Sequence, residues 1–273
     1  MKVTLLDYTG SGHPNPAHYA AALLAFTKAT RLKMSAGAFG EFQKKDDKEL
    51  YAELEYMANT IPSSWEMCDY TFMVEGVTRA FTHQFVRTRT ASFAQQTMRV
   101  LDVSEGRGWD YGTGPTIPKR GADMSDDKMS GDEFARMSTY HSGMEQVGQI
   151  YKGLIKNGAA IEDARGILPT NILTNIVAKM NMRTFVELVR KRSSSRTQGE
   201  YRGVLEGMKE AVREVHPWID LFIERTIDKA IADLEAKIIA LASLENPDPD
   251  AEFIKHQTKT DLIKLLDQLR AQL

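Results

Sequence analysis

The sequence predicts an α/β protein of the α+β kind, with strands early in the chain and helices dominating its second half. Three observations carry this. Residues 2–8, KVTLLDY, and 70–76, YTFMVEG, are short β-rich runs. From Gly131 to Val215, segment after segment reads as helix. Gly- and Pro-rich stretches at 9–16 and 105–121 separate these parts as loops.

Taken in order, the first strand closes at TGSGHPNP, and the Ala-rich PAHYAAALLAFTKAT (16–30) predicts a helix. KMSAGAFG (33–40) reads as a turn. KKDDKELYAELEYMANT (44–60) places Leu50, Leu54 and Met57 at helical spacing, and Pro62 ends that helix because its ring cannot continue one. After the second strand, VTRAFTHQFVRTR (77–89) predicts a helix and MRVLDVS (98–104) an extended run. A long helix is expected from Gly131 to Asn157. AIEDARGILP, TNILTNIVAKMN, MRTFVELVRKRSSSRTQ and GEYRGVLEGMKEAVREV follow as a mainly helical half. Beyond His216 and Pro217 the chain breaks at NPDPDAE and ends with Leu262, Leu265, Leu266, Leu269 and Leu273 on one helical stripe, which needs a partner. We therefore expect a main domain over 1–216 and a helical extension over 217–273, packing on its own subunit or between subunits.

Composition bounds the function. The 35 Lys and Arg against 37 Asp and Glu leave a formal net charge of −2, so any basic function must be local. One cysteine, Cys68, allows no internal disulfide, and no long apolar run signals a leader or a membrane span, so a soluble cytoplasmic protein is expected. No G-x-G-x-x-G, P-loop or H-E-x-x-H is present and the six histidines are scattered, so neither a Rossmann fold nor a metal centre is signalled. Cys68, flanked by apolar residues, reads as a buried residue rather than a nucleophile.

The local basic feature lies between Val77 and Leu101, where arginines occur without a single acid. On a helix, Arg79, His83 and Arg87 at i, i+4 and i+8 share a face and repel one another, which points to an external anion. Arginine's planar fork binds phosphate or carboxylate in two parallel hydrogen bonds. A second cluster, Arg183, Arg190, Arg192, Arg196 and Arg202, is partly compensated by Glu187 and Glu200. Solvated faces and salt bridges would explain either cluster alone.

Thr78-Arg79-Ala80, His83-Gln84, Arg87-Thr88-Arg89, Ser92, Gln95-Gln96, Thr97 and Arg99 together resemble the signature of the flavin-dependent thymidylate synthases (ThyX), R-H-R followed by seven residues and Ser within a longer string. KVTLLDYT, the S-x-x-E of Ser63 to Glu66, and the A-R-x-x-L-P, N-x-R and R-x-x-x-x-x-Q-x-E blocks between Ala164 and Arg202 are similar to further family blocks in the same order. The resemblance implies a ThyX-like fold, a central mostly antiparallel sheet covered by helices. It implies a homotetramer with shared active sites and the conversion of dUMP to dTMP with methylenetetrahydrofolate, NADPH and FAD. It further implies that Gln84, Arg87, Gln95, Gln96, Thr97, Met98, Arg99 and Arg165 meet the nucleotide, with Arg192 at the pyrimidine edge as the catalytic residue. Ser63, Glu66, Arg87, Thr88, Arg89, Thr90, Asn181, Arg183 and Glu187 would meet FAD. No metal is implied. The chain departs from the pattern at Thr88, where the family has His, at Thr97 for Ser, and at Ile61 and Met67, where many members have His. Hydroxymethylation, use of UMP or dCMP, and a non-catalytic nucleotide-binding regulator are the alternatives. A single-strand nucleic-acid binder is disfavoured because Phe81, Phe85 and Phe93 read as core positions.

Overall fold

The structure is a computed structural model and describes residues 1–28, 34–60, 62–99, 131–192, 197, 199–224, 231, 234–239 and 249–270. The expected loop at 105–121, most of the extended run at 98–104, Ile61, Arg196 and Leu273 lie outside the described residues. The chain divides into two compact units.

The first unit, Met1–Pro16 with Glu66–Val215, holds a four-stranded sheet. Its strands are β1 (Lys2–Tyr8), β2 (Asp69–Thr78), β3 (Ser92–Gln95) and β4 (Leu173–Asn181), in the order β1-β2-β4-β3. Every pairing is antiparallel. β2 alternates buried Tyr70, Phe72 and Val74 with half-exposed neighbours, and β4 answers with Thr174, Ile176, Ala178 and Met180, so one face of the sheet is apolar. The register slips between Val74 and Val77, at Gly76, whose φ of +64 suits a residue without a side chain. The Asn175 side chain accepts the Gly76 N–H at 2.9 Å and so replaces the missing ladder bond.

β4 corrects the reading of TNILTNIVAKMN as helical. Its alternation of buried and part-exposed residues is the period-2 pattern of a half-buried strand, and Thr170 to Val177 includes the β-branched residues that favour one. The helix expected over 77–89 is also shorter. Helix α4 spans Arg79–Phe85, and the chain then turns, so Arg87 is not on the helical face of Arg79 and His83. The helices after Gly131 are α5 (Gly131–Lys156), α6 (Ile161–Ala164), α7 (Met182–Arg192) and α8 (Gly199–Val215). α8 lies close against β1: a Cβ at Gly203 or Gly207 would come within 3.1 Å of the Met1 or Val3 side chain.

The second unit, Ala17–Trp65 with His216–Leu273, is helical among its described residues. It contains α1 (Pro16–Lys28), α2 (Ala36–Gln43), α3 (Asp47–Thr60), α9 (Ile219–Ile223) and α10 (Pro249–Arg270). α2 occupies the stretch read as a turn. Ser35 accepts the Ala38 N–H as its N-cap, which outweighs two helical glycines. Trp65, Trp218 and Phe222 pack edge to face in the core, with Leu50, Leu54 and Met57 from α3 buried as their spacing predicts. On α10, Leu266 is buried while Leu265 is exposed, so the C-terminal stripe is only partly covered.

Candidate active site

A cleft of about 370 Å³ opens between the end of α4, the turn after it, and α7. Gln84, Arg87, Thr88, Arg89 and Thr90 line one wall, and Thr184, Glu187, Leu188, Lys191 and Arg192 line the other. Each wall is fixed by local chemistry. Thr78, the last residue of β2, caps α4 by accepting the Phe81 N–H at 3.1 Å. Arg79 N and Ala80 N bond to Ile172 O and Thr170 O, so the first amides of the helix are satisfied although it is short. Past Phe85 the chain tightens through Arg87 N to Gln84 O and Thr88 N to Phe85 O, which brings Arg87 to Thr90 round to face α7. Thr184 Oγ1 donates to Thr90 Oγ1 at 2.9 Å and ties the two walls together.

On α7, Asn181 accepts the Thr184 N–H and caps the helix. Arg183 bridges two acids, donating to Glu66 at 2.7 Å and Glu187 at 3.1 Å, and Lys191 reaches Glu187 at 3.2 Å. Burial would raise the Glu187 pKa, but Lys191 and Arg183 together hold it below the ordinary carboxylate value. The acid of the cleft is therefore ionised and already neutralised. Arg87 and Arg89 have no such partner: among the described residues no carboxylate pairs with either, and both are exposed. Arg192 also lacks an ion pair among the described residues, and its guanidinium carbon stands 5.4 Å from the ring centre of Tyr201.

The remaining predicted nucleotide residues gather at β3. Gln95 donates to Thr82 Oγ1 at 3.0 Å, and Gln96 exchanges bonds with Asn175 and accepts Arg79 Nη2 at 2.9 Å through its carbonyl. Arg99 pairs with Glu162 at 2.9 Å, and Arg165 Nε donates to the Glu162 carbonyl at 3.1 Å. Burial, and then the charge of Arg165, lower the pKa of Arg79. Thr97 Oγ1 accepts the Arg99 N–H at 3.0 Å, and Met98 is half-buried beside them. The predicted residues thus form two groups. Gln84, Arg87, Thr88, Arg89, Thr90, Glu187 and Arg192 line the cleft, with Glu66, Asn181 and Arg183 joined to it through α7. Gln95, Gln96, Thr97, Met98, Arg99 and Arg165 form the other group. Ser63 belongs to the second unit.

Residues 4–218 match the family described as thymidylate synthase complementing protein. The chain belongs to the flavin-dependent thymidylate synthase family. It is 34% identical to the flavin-dependent thymidylate synthase of Sulfolobus acidocaldarius, over 80% of this chain and 74% of that one. It is 33% identical to that of Nitratidesulfovibrio vulgaris, over 65% and 69%, and 30% identical to that of Geobacter sulfurreducens, over 80% and 85%. Among solved structures, a UMP/dUMP methylase, PolB from Streptomyces cacaoi bound with 5-Br dUMP, shares the fold with a TM-score of 0.62. The alignment covers 80% of this chain and 92% of that one at 21% identity. Membership makes the chain an enzyme of the thymidylate synthase type, and the mixed α/β fold with an antiparallel sheet is the one expected.

Sequence reasoning missed four residues of the cleft region: Thr184, Leu188, Lys191 and Tyr201. Thr184 and Lys191 follow from α7 itself, at i+3 and i+4 from Asn181 and Glu187. Tyr201 carried no polar signal, since a tyrosine on the apolar stripe of a helix reads as core. No helix among the described residues is long and apolar enough to cross a membrane, and no cluster of potential metal ligands occurs among them.

Proposed function

We propose that the protein methylates C5 of dUMP to give dTMP, using FAD, with methylenetetrahydrofolate and NADPH as co-substrates. The observation that carries this is Arg192, held over Tyr201 at the wall of a cleft whose other wall presents Gln84 with Arg87 and Arg89, which pair with no carboxylate among the described residues. C5 of a pyrimidine becomes nucleophilic only when negative charge develops on the ring. An always-protonated guanidinium at the N3/O4 edge stabilises that charge as it forms. Gln84 offers both a donor and an acceptor to orient the base.

The donor set fits a flavin. Two exposed arginines answer a pyrophosphate, and Thr88, Thr90, Asn181 and the Arg183–Glu187 pair supply mixed donors and acceptors for a polar ring edge. Glu66 keeps Arg183 in place. When bound, the flavin would carry the reducing equivalents and the one-carbon unit. The arginine pair Arg79 and Arg165, with Arg99, Gln95, Gln96, Thr97 and Met98, is the counter-charge for the nucleotide phosphate. We further propose a cytoplasmic homotetramer with residues 1–216 catalytic and 217–273 assisting assembly, a role for which the exposed Ile263 and Leu265 on α10 are suited.

The test is release of tritium from C5-labelled dUMP, UMP and dCMP with methylenetetrahydrofolate and NADPH, and the mass of the product. The purified protein should be yellow. Arg192→Ala should keep its flavin and lose C5 chemistry by about a thousandfold, as expected for a main electrostatic stabiliser. A colourless protein that takes up no FAD on reconstitution refutes the reading. Release from UMP, or a hydroxymethyl product, would move it to the corresponding relative.

A further inference from the structure

Beneath the cleft, the ring of Tyr201 on α8 packs at 5.0 Å from Phe81 and 6.0 Å from Phe85 of α4 and is fully buried. Phe85 also meets Phe93 of β3 at 5.1 Å. Arg192 lies on this aromatic floor, 5.4 Å above the Tyr201 ring. A cation over an aromatic face gains electrostatic attraction while keeping its N–H edges free for a ligand.

The Tyr201 oxygen is the unexplained part. It is buried and makes no hydrogen bond of good geometry. Burial raises its pKa, and the two polar groups that pull it back are Arg192 and Thr88, both of which line the cleft. Buried hydroxyls are nearly always partnered, and an orphan costs free energy that phenylalanine in the same place would avoid. Arg192 and Thr88 already act on this oxygen, although neither bonds it with good geometry. A phenol can accept from Arg192, which only donates, and donate to the Thr88 hydroxyl, which can accept. Small rotations of two side chains in the cleft wall would complete both bonds.

We propose that Tyr201 is a positioning residue for the pyrimidine nucleotide: its ring supports the Arg192 guanidinium, and its hydroxyl links Arg192 to Thr88 once the cleft is filled. The inference rests on the proposed function and names how the site sets its arginine. It also gives Thr88, where the family pattern has histidine, a part that a short hydroxyl side chain can play.

The test compares wild type, Tyr201→Phe, Thr88→Val and the double variant. Two quantities are read: Tm of the ligand-free protein, and the Kd for dUMP by calorimetry. Tyr201→Phe should not lower the ligand-free Tm, because it removes an unsatisfied group, and it should weaken dUMP binding about tenfold. Thr88→Val should weaken binding similarly, and the double variant should be no weaker than either single one. Wild-type affinity in Tyr201→Phe, a lowered ligand-free Tm, or additive losses in the double variant would each overturn the proposal. If the wild type itself binds neither flavin nor any pyrimidine nucleotide, the proposed function fails. If it binds both and the variants match it, only the role of Tyr201 fails.

Discussion

Glu200 on the first turn of α8 holds the start of α4 through both carboxylate oxygens. Thr78 N donates to Oε1 at 2.8 Å and Thr78 Oγ1 donates to Oε2 at 2.6 Å, while Thr78 Oγ1 itself caps the Phe81 amide. Thr78 is only 3% exposed, so water cannot take the place of the carboxylate. Glu200→Ala removes one charge-assisted hydrogen bond to a hydroxyl and strands a buried backbone N–H, for a combined loss of about 3 kcal/mol. For a chain of this size that is a fall of roughly 5–10 °C in Tm. Glu200→Gln keeps the shape but offers one acceptor in place of two, so roughly half of the loss should remain. Urea unfolding of the two variants, with Thr78→Val and the double variant, reads the coupling directly. The cycle should show strong non-additivity, because both bonds end on one residue. A Glu200→Ala protein as stable as wild type, or an additive cycle, would refute the claim that this carboxylate anchors α4, and with it the account of how Gln84 and the turn behind it are placed.

Two further outcomes follow from titrating groups elsewhere in the chain. His18 presents Nδ1 to Asp47 at 2.8 Å and Nε2 to the Gln43 carbonyl at 2.9 Å, two acceptors that only the doubly protonated ring can satisfy. The Asp47 hydrogen bond and then the Gln43 carbonyl raise its pKa against the opposing effect of burial. Its contribution to stability is thus fully present below the unfolded histidine pKa and is lost as pH rises through the higher folded value. Asp47 is 67% exposed, so solvent limits the effect to at most about 1 kcal/mol. The gap in urea midpoint between wild type and His18→Gln should be present at pH 5.5 and absent at pH 9, and an equal gap at both would refute the assignment. Cys68 is buried, and that burial pushes its thiol up to about 12 despite its hydrogen bonds with Thr9 and Tyr70. At pH 8 a thiol reagent should therefore label the folded protein at least about a hundredfold more slowly than the urea-unfolded chain. Rapid labelling of folded protein would show the site to be open.

The sequence was most legible where one signal dominated. The α3 stripe of Leu50, Leu54 and Met57 is buried as its spacing requires, and α5 runs from Gly131 to Lys156, one residue short of the expected end. Three segments misled for separate physical reasons. TNILTNIVAKMN follows a helical run and contains few turn signals, yet its partner is β2, and pairing decides between strand and helix for a short apolar stretch. KMSAGAFG looked like a turn because of its glycines, but a serine cap and the packing of Phe39 against Phe26 organise it as α2. The VTRAFTHQFVRTR helix stops at Phe85, where Arg87 N and Thr88 N bond back to Gln84 O and Phe85 O. The Thr90–Thr184 bond that holds the following turn against α7 is a long-range contact no local pattern encodes. In the site, motif spacing identified the walls of the cleft, whereas Tyr201 was hidden because a residue that acts from below a pocket looks like core.

The structure also answers where the positive charge between Val77 and Leu101 goes. A segment with four arginines and no acid must either import counter-charge from elsewhere in the chain or leave cations for a ligand. Arg79 is turned inward onto the Gln96 carbonyl, and Arg99 borrows Glu162 from α6. Arg87 and Arg89, on the turn between α4 and β3, receive no acid among the described residues, although Glu187 stands across the same cleft. Glu187 is withheld from them because Arg183 and Lys191, its neighbours at i−4 and i+4 on α7, already occupy it. The one acid of α7 is thus held by cations of its own helix, and the facing turn stays cationic. An Arg183→Gln variant would free Glu187 to compete for Arg87 and Arg89, so anion binding at the turn should weaken even though the cation removed lies on the opposite wall. Unchanged or tighter pyrophosphate affinity in that variant, measured by calorimetry, would refute this division of charge.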